Sequence, residues 1–364
     1  MNAHKYKLIL SGVFSVMMVA AIAGCGDNGT SAPDNSQNPA GRLYTLNQTD
    51  ATLYIYDTKT LQRLDSIPTI VDRPHYIQFS PTGDYFYIVT LEPTGRIAKF
   101  DARTNVFVDS VTAPPAVQPS AIVVTPDGKT GYVCNFSSPG RRTEINKYDL
   151  TTMQHVGSFP AGVTTHDLKI TSDGSVIVAC NRYGDNLTLL YPDADTVTFV
   201  SIDPDSLYAD DSHKYGPFGV AIDHRDSLAF IACMDGLQVR VLDIAARTIV
   251  DSIDIPVDSA FIYGPTLLAV SPDDKTVYVT TRGGNSIVVF DVPTMTVVAN
   301  IKLSTPYPFG IDISADGSRV YAACVGDPTG KGAVQIIDGK TLVPLSTLTT
   351  GRETFGLTWA PVSP

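Results

Sequence analysis

The residues of this chain best equipped for chemistry are few and scattered. Two of its six histidines, His75 and His166, stand at the head of apolar runs, in Arg73-Pro-His75 and Thr164-Thr-His166. Imidazole is a metal ligand and a general acid or base near neutral pH. Arg73, Arg182, Arg282 and Arg352 carry guanidinium forks that match carboxylates and other oxyanions, and Tyr215 adds a ring with a polar tip. Two readings suit this set. One is a metal, haem or anion site built on both histidines with the arginines; the other is a pair of hydrogen-bonding histidines at a wet pore rim. Two imidazoles without a clear third ligand make a weak metal case, so no metal and no cofactor are expected. G-x-S-x-G, H-E-x-x-H and G-x-x-x-x-G-K-[ST] are all absent. The carboxylates mostly recur at turns, so no acid–base pair stands out and no catalytic residue is assigned.

Elements must bring these residues together, and the composition says which kind. The chain has 364 residues, 43% of them apolar, with 28 Gly and 25 Pro. That apolar share is ample for a core and excludes global disorder. A formal charge of −11 argues against binding nucleic acid through a basic surface. The Gly and Pro count and the 17 Tyr point to many short strands and turns.

A repeat organises them. The heads of seven equivalent runs fall at His75, Ser120, His166, Phe218, Thr266, Phe309 and Phe355, spaced 45, 46, 52, 48, 43 and 46 residues apart. In one unit the strands read Leu267–Val270, Val277–Thr280, Ile287–Phe290 and Thr296–Ile301. Four short β-branched runs per period in the mid-forties are the spacing of propeller blades. Two turn markers recur. One is a strand-ending Asp (Asp57, Asp101, Asp149, Asp243, Asp291, Asp338), replaced by Tyr191 in the fourth copy. The other is a tight turn such as Ser80-Pro-Thr-Gly83 or Thr125-Pro-Asp-Gly128. The first unit, from Arg42, lacks its first strand, and Phe355-Gly-Leu-Thr-Trp359 at the C-terminal end supplies it. The expectation is an all-β, seven-bladed β-propeller with four antiparallel strands per blade, closed by a C-terminal strand completing the first blade.

Tyr278-Val279-Thr280-Thr281, Tyr132-Val133-Cys134-Asn135 and Tyr87-Ile88-Val89-Thr90 resemble the YVTN repeat of a family of bacterial propellers that includes YncE-like proteins. The resemblance covers residues 42–360. It implies a propeller of the cell envelope, with haem-d1-binding and lactonase propellers among its relatives, but the fold alone does not choose a function.

In such a ring the loop leading into each first strand and the loop after each second strand emerge on one face. The first set is represented by Arg73-Pro-His75, Thr164-Thr-His166, Tyr307-Pro-Phe309 and their equivalents. The second set, aligned on Arg282, is Gln48, Leu91, Phe136, Arg182, Met234, Arg282 and Val325. Mixed polar and aromatic positions of this kind suit a small-molecule site. The candidate funnel residues are therefore Arg73, His75, His166, Arg182, Tyr215, Arg282 and Arg352. The insertion Ser201 to Pro217 carries Asp203, Asp205, Asp210 and Asp211, either as oxygen ligands for Ca²⁺ or, the favoured reading, as a solvated acidic lid. Cys134, Cys180, Cys233 and Cys324 all end second strands, so buried, unbridged thiols are expected; the absence of C-x-x-C-H leaves covalent haem unsupported.

Residues 1–24 read as a signal peptide: His4, Lys5 and Lys7, an apolar stretch from Leu8 to Ile22, and small residues before Cys25. That apolar stretch is shorter than the about 20 residues that span a bilayer, and Ile22-Ala-Gly-Cys25 resembles the bacterial lipobox, in which the Cys is acylated. Residues 25–41 then form a flexible Gly/Asn/Ser/Pro tether, and 42–364 the propeller. The partners expected are a membrane, held through the lipid anchor, and an unidentified protein or small-molecule ligand; nucleic acid is not expected, and the protein is expected to be a monomer. The place is the cell envelope, at the periplasmic face or the surface of the outer membrane. Three functions follow. The first is a tethered binding module using its funnel face. The second is an enzyme of the lactonase or haem/metal oxidoreductase type around His75 and His166. The third is a structural surface component.

Overall fold

The computed structural model describes residues 37–92, 95–114, 118–136, 141–203, 214–256, 264–327 and 330–361. Cys25, the signal peptide, most of the tether, and Asp205, Asp210 and Asp211 of the acidic insertion lie outside the described residues. Among those described, twenty-eight strands, β1 to β28 in chain order, form seven four-stranded antiparallel sheets. Among the described residues no helix is long and apolar enough to cross a membrane.

Ring closure follows the expected route. Blade 1 runs from β28 (Thr354–Pro361) through β1 (Gly41–Asn47) and β2 (Thr52–Asp57) to β3 (Arg63–Pro68), with β28 paired to β1 in the register Gly41↔Pro361, Leu43↔Trp359 and Thr45↔Leu357. Blades 2 to 7 each take four consecutive strands. Their inner strands are β4 (Pro74–Phe79), β8 (Pro119–Val124), β12 (Thr165–Ile170), β16 (Pro217–Ile222), β20 (Pro265–Val270) and β24 (Pro308–Ile313). Closure removes the unpaired sheet edge that an open array would present.

Burial follows strand position. The second strands, such as β13 (Ile177–Asn181) and β25 (Arg319–Cys324), are buried along their whole length, because a blade is covered on both faces by its neighbours. Outermost strands such as β3 (Arg63–Pro68) are mostly exposed. Cores therefore lie between blades: Val178, Leu187 and Leu189 of blade 4 pack on Val220, Ile231 and Leu242 of blade 5. The four cysteines sit in these layers as free, buried thiols. Burial pushes the Cys134 and Cys324 thiols up to about 12, so they stay protonated and inert.

The recurrent Asp and Ser/Thr residues tie turns. Asp57, Asp101, Asp149, Asp243, Asp291 and Asp338 each accept the backbone N–H three residues on, at 2.7 to 3.0 Å. Where Tyr191 replaces the Asp, a 3₁₀ turn over Pro192–Ala194 takes over. In the second marker Ser80, Thr125, Thr171, Ser271 and Ser314 accept an N–H five residues on, and Asp223 does the same in blade 5. Much of the negative charge is thus turn chemistry.

The inner strands approach closely around the axis. A Cβ on Gly219 would lie 2.2 Å from the Thr266 carbonyl oxygen, and one on Gly310 would lie 2.4 Å from that of Phe355, so only glycine fits after those two phenylalanines. Polar side chains stitch the same seams. Asp167 accepts the Val220 N–H at 3.1 Å, and Asp312 accepts the Trp359 N–H at 2.7 Å.

Candidate functional site

A bulge at or near the head of the inner strand builds the site in each blade. Pairing to the second strand shifts register between Pro74 and Tyr76, between Thr165 and Leu168, and between Pro308 and Ile311, with equivalents in the other blades. A bulge re-aims a side chain, and here the head residues gather at the axis. His75 lies 5.8 Å from His166 and 5.5 Å from both Phe309 and Phe355, measured between ring centroids. Phe218 stacks on His166 at 3.5 Å, and Phe309 meets Phe355 edge-on at 5.0 Å. These five rings form a plug across the ring's centre.

The two loop sets are joined as their alignment requires. Gln48, Leu91, Phe136, Arg182, Met234, Arg282 and Val325 each donate a backbone N–H, at 2.7 to 3.3 Å, to the carbonyls of Glu353, Arg73, Gln118, Thr164, Gly216, Gly264 and Tyr307 respectively. Every blade therefore presents a fixed pair of loops over the plug. Arg73, Thr164, Tyr307 and Glu353 hold left-handed backbone angles, with φ between 46° and 59°. Non-glycine residues adopt that conformation only where their surroundings impose it.

The histidines belong to the plug itself, buried and hydrogen-bonded where a wet rim was one expectation. They are not solvated rim groups, and among the described residues no three His, Cys, Asp or Glu side chains are placed to hold an ion. Both are 4% exposed. The His166 Nδ1–H donates to the Phe218 carbonyl at 3.2 Å. His75 Nδ1 accepts from Gln48 Nε2 at 3.3 Å, and Arg73 Nη2 donates to Gln48 Oε1 at 3.3 Å. Burial pushes the His75 imidazole down to about 4, helped by the charges of Arg73 and Arg282. Burial and His75 hold His166 well below the usual range. At neutral pH both are uncharged aromatic rings.

The arginines divide. Arg282 lies over the plug, with its guanidinium carbon 6.0 Å from the Phe309 centroid and 5.8 Å from that of Phe355. Arg182 lies 5.5 Å over Phe218 and 3.6 Å from Asp235. Arg73 pairs with Glu92 at 3.2 Å. Arg352 is instead bound to Asp50 at 2.6 Å. Tyr215 packs into the core between blades 4 and 5 with Arg240 over its ring at 4.4 Å. Its backbone N–H and those of Lys214 and Gly216 all donate to Asp185, which fixes the end of the acidic insertion. The structure thus brings Arg73, His75, His166, Arg182 and Arg282 together and leaves Tyr215 in the core.

Asp235 and the charged residues of the inner strands are absent from the candidate set that the sequence offers. Asp167, Lys169 and Asp312 stand in otherwise apolar runs, a signal visible in the sequence. Below the plug they line a channel of about 630 Å³.

Comparison with known proteins places the fold. The family model described as "Lactonase, 7-bladed beta-propeller" matches residues 71–250 and 256–328. Nothing among the curated proteins matches the chain. Among solved structures, a functionally unknown protein from Desulfotomaculum acetoxidans DSM 771 is similar at 12% identity, with a TM-score of 0.69, over 89% of this chain and 100% of that one. A protein from Lactobacillus plantarum is similar at 19% identity, with a TM-score of 0.72, over 88% and 99%. At those identities the likeness is one of fold.

Proposed function

Because the chain belongs to the seven-bladed β-propeller lactonase family, we propose that it binds a small lactone carrying a carboxylate or similar oxyanion on its arginine-bearing face and opens the ring there. The observation that carries this reading is the pair Arg182 and Arg282, held over the aromatic plug. A guanidinium over aromatic rings is partly dehydrated and fixed, which strengthens its attraction for an oxyanion. One arginine anchors the substrate's charge, and the other stabilises the oxyanion formed when water adds to the lactone carbonyl. Asp235, next to Arg182, accepts the proton of the attacking water. Asp235 then returns that proton to the ring oxygen as the ring C–O bond breaks, and the oxygen leaves as a hydroxyl. His75 and His166 do not serve as the base, being weakly basic, hydrogen-bonded and buried within the plug.

A second reading, ligand binding without turnover, draws support from the pairing of Asp235, Glu92 and Asp50 with arginines, since a paired carboxylate is a weaker base. One experiment separates them: kinetics and titration with a panel of carboxylated and uncharged lactones. Hydrolysis of the carboxylated members is expected, with kcat/KM falling about 100-fold in Arg282→Ala, as for loss of one oxyanion donor. Saturable binding without hydrolysis would favour the binding module, and no response to any lactone would refute both readings.

The chain's YVTN-like segments support a place in that branch of propellers, and its lipobox-like start supports a tether at Cys25 in the cell envelope. Cys25→Ser is expected to move the protein from the membrane to the soluble fraction. Unchanged membrane association would contradict the tether.

A further inference from the structure

The channel below the plug is separate from the arginine-bearing face. Its far mouth is rimmed by turn residues at the other end of the inner strands, among them His224, Pro272 and Ser314. Lys169 reaches from β12 across to the Tyr76 hydroxyl on β4, two blades away. Among the described residues that hydroxyl is its one hydrogen-bond partner, although an ammonium carries three donors. Asp167 shares the strand of Lys169. Asp312 stands on β24, three blades from β12 around the ring. Both carboxylates are held to the wall by backbone N–H groups of the next blade, and Asp312 takes the Thr358 hydroxyl as well. Neither forms an ion pair with Lys169. Lys169 and Asp167 thus share one side of the channel, and Asp312 stands on the other. The wall between them, in blades 5 and 6, is apolar: Val220, Ala221, Leu267 and Ala269.

Asp167 and Asp312 favour the Lys169 charge without forming an ion pair with it, and a ligand carrying both signs would add direct contacts to Lys169 and Asp312 at once. We propose that the channel is a second ligand site, for a small zwitterion with an apolar body, of the aliphatic α-amino acid class. Its carboxylate sits on Lys169 beside Tyr76, its ammonium faces Asp312, and its side chain lies on the wall of Ala221 and Ala269. The channel volume falls within the roughly 300–1,000 Å³ of small-molecule pockets. Burial opposes the charge on Lys169, but Tyr76, Asp167 and Asp312 together raise its proton affinity, so the anchoring ammonium stays charged. The site does not rest on the lactone reading, since the plug lies between the two.

The test is calorimetric titration of the intact chain at neutral pH with leucine, 4-methylpentanoate (leucine without its amine) and isoamylamine (leucine without its carboxylate). Leucine is expected to bind at least about tenfold more tightly than either half-molecule, the worth of about one charge contact. Lys169→Met is expected to abolish that binding. Ala269→Leu, which fills the apolar wall and removes no polar group, is expected to weaken it at least about tenfold by the same measure while leaving lactone turnover unchanged. Leucine binding no tighter than that of a half-molecule, or unaltered in Lys169→Met and Ala269→Leu, would overturn the proposal. Loss of lactone turnover in wild-type assays would leave this result standing, so the two readings fail separately.

Discussion

A chain ended at Thr350 is expected to lose the fold altogether, not merely one strand. The residues removed include β28, the inner strand of blade 1, which pairs along β1 from Gly41↔Pro361 to Asn47↔Thr354. Phe355 leaves the plug, Asp312 loses the Trp359 N–H, and the Asn47 side chain loses Gly351 and Thr354. Leu357 and Ala360 leave the cores of blade 1, with half-buried Trp359 beside them. Burying a large apolar side chain stabilises by about 1.5–3 kcal/mol, and a ladder hydrogen bond by about 1 kcal/mol. Together these losses match the whole of a domain's stability, about 5–15 kcal/mol. The truncation also opens the ring, exposing the edge of β1 and the face of blade 7 that β28 covers. Circular dichroism and size-exclusion chromatography should show an unfolded or aggregated product. A soluble monomer with a cooperative melt would contradict closure by β28.

Stability is expected to fall steeply as pH drops from 6.5 towards 4. His75 titrates at about 4 in the folded chain and near 6.5 when unfolded. A base whose folded pKa is depressed makes the unfolded state bind more protons, so its contribution is present above pH 6.5 and is lost as pH falls towards the folded value. The gap corresponds to about 3 kcal/mol for His75, and His166 shifts in the same direction. Asp167 and Asp312 act oppositely. Burial raises both, so protonation relieves a cost that grows above the ordinary carboxylate pKa near 4. Urea unfolding at pH 7, 5.5 and 4.5 should give falling midpoints, with a flatter profile in His75→Gln. Identical profiles for the two proteins would place the acid sensitivity elsewhere.

The architecture was legible because a propeller repeats its local chemistry. The period of the head residues gave seven blades, and the Asp and Ser/Thr markers fell on the turns they tie. The alignment of Arg282 with Gln48 and Val325 matched loops that hydrogen-bond in all seven blades. The site was legible only in part. Strand periodicity places a head residue near the axis but does not reveal a bulge, and the bulges turn His75 and His166 into the plug instead of towards solvent. Tyr215 looked like a funnel residue by proximity in sequence, yet Asp185 grips the backbone at 214–216 and packs the ring inward. Lys169 and Asp312 went unremarked because nothing local in the sequence brings blades 4 and 7 to face each other.

A crystal structure of the chain with a carboxylated lactone or its hydroxy-acid product would decide whether the arginine-bearing face is the binding site. The ligand carboxylate is expected within hydrogen-bond distance of Arg182 or Arg282, above the rings of Phe218, Phe309 and Phe355. A ligand bound below the plug, or at the blade perimeter away from both arginines, would contradict that expectation.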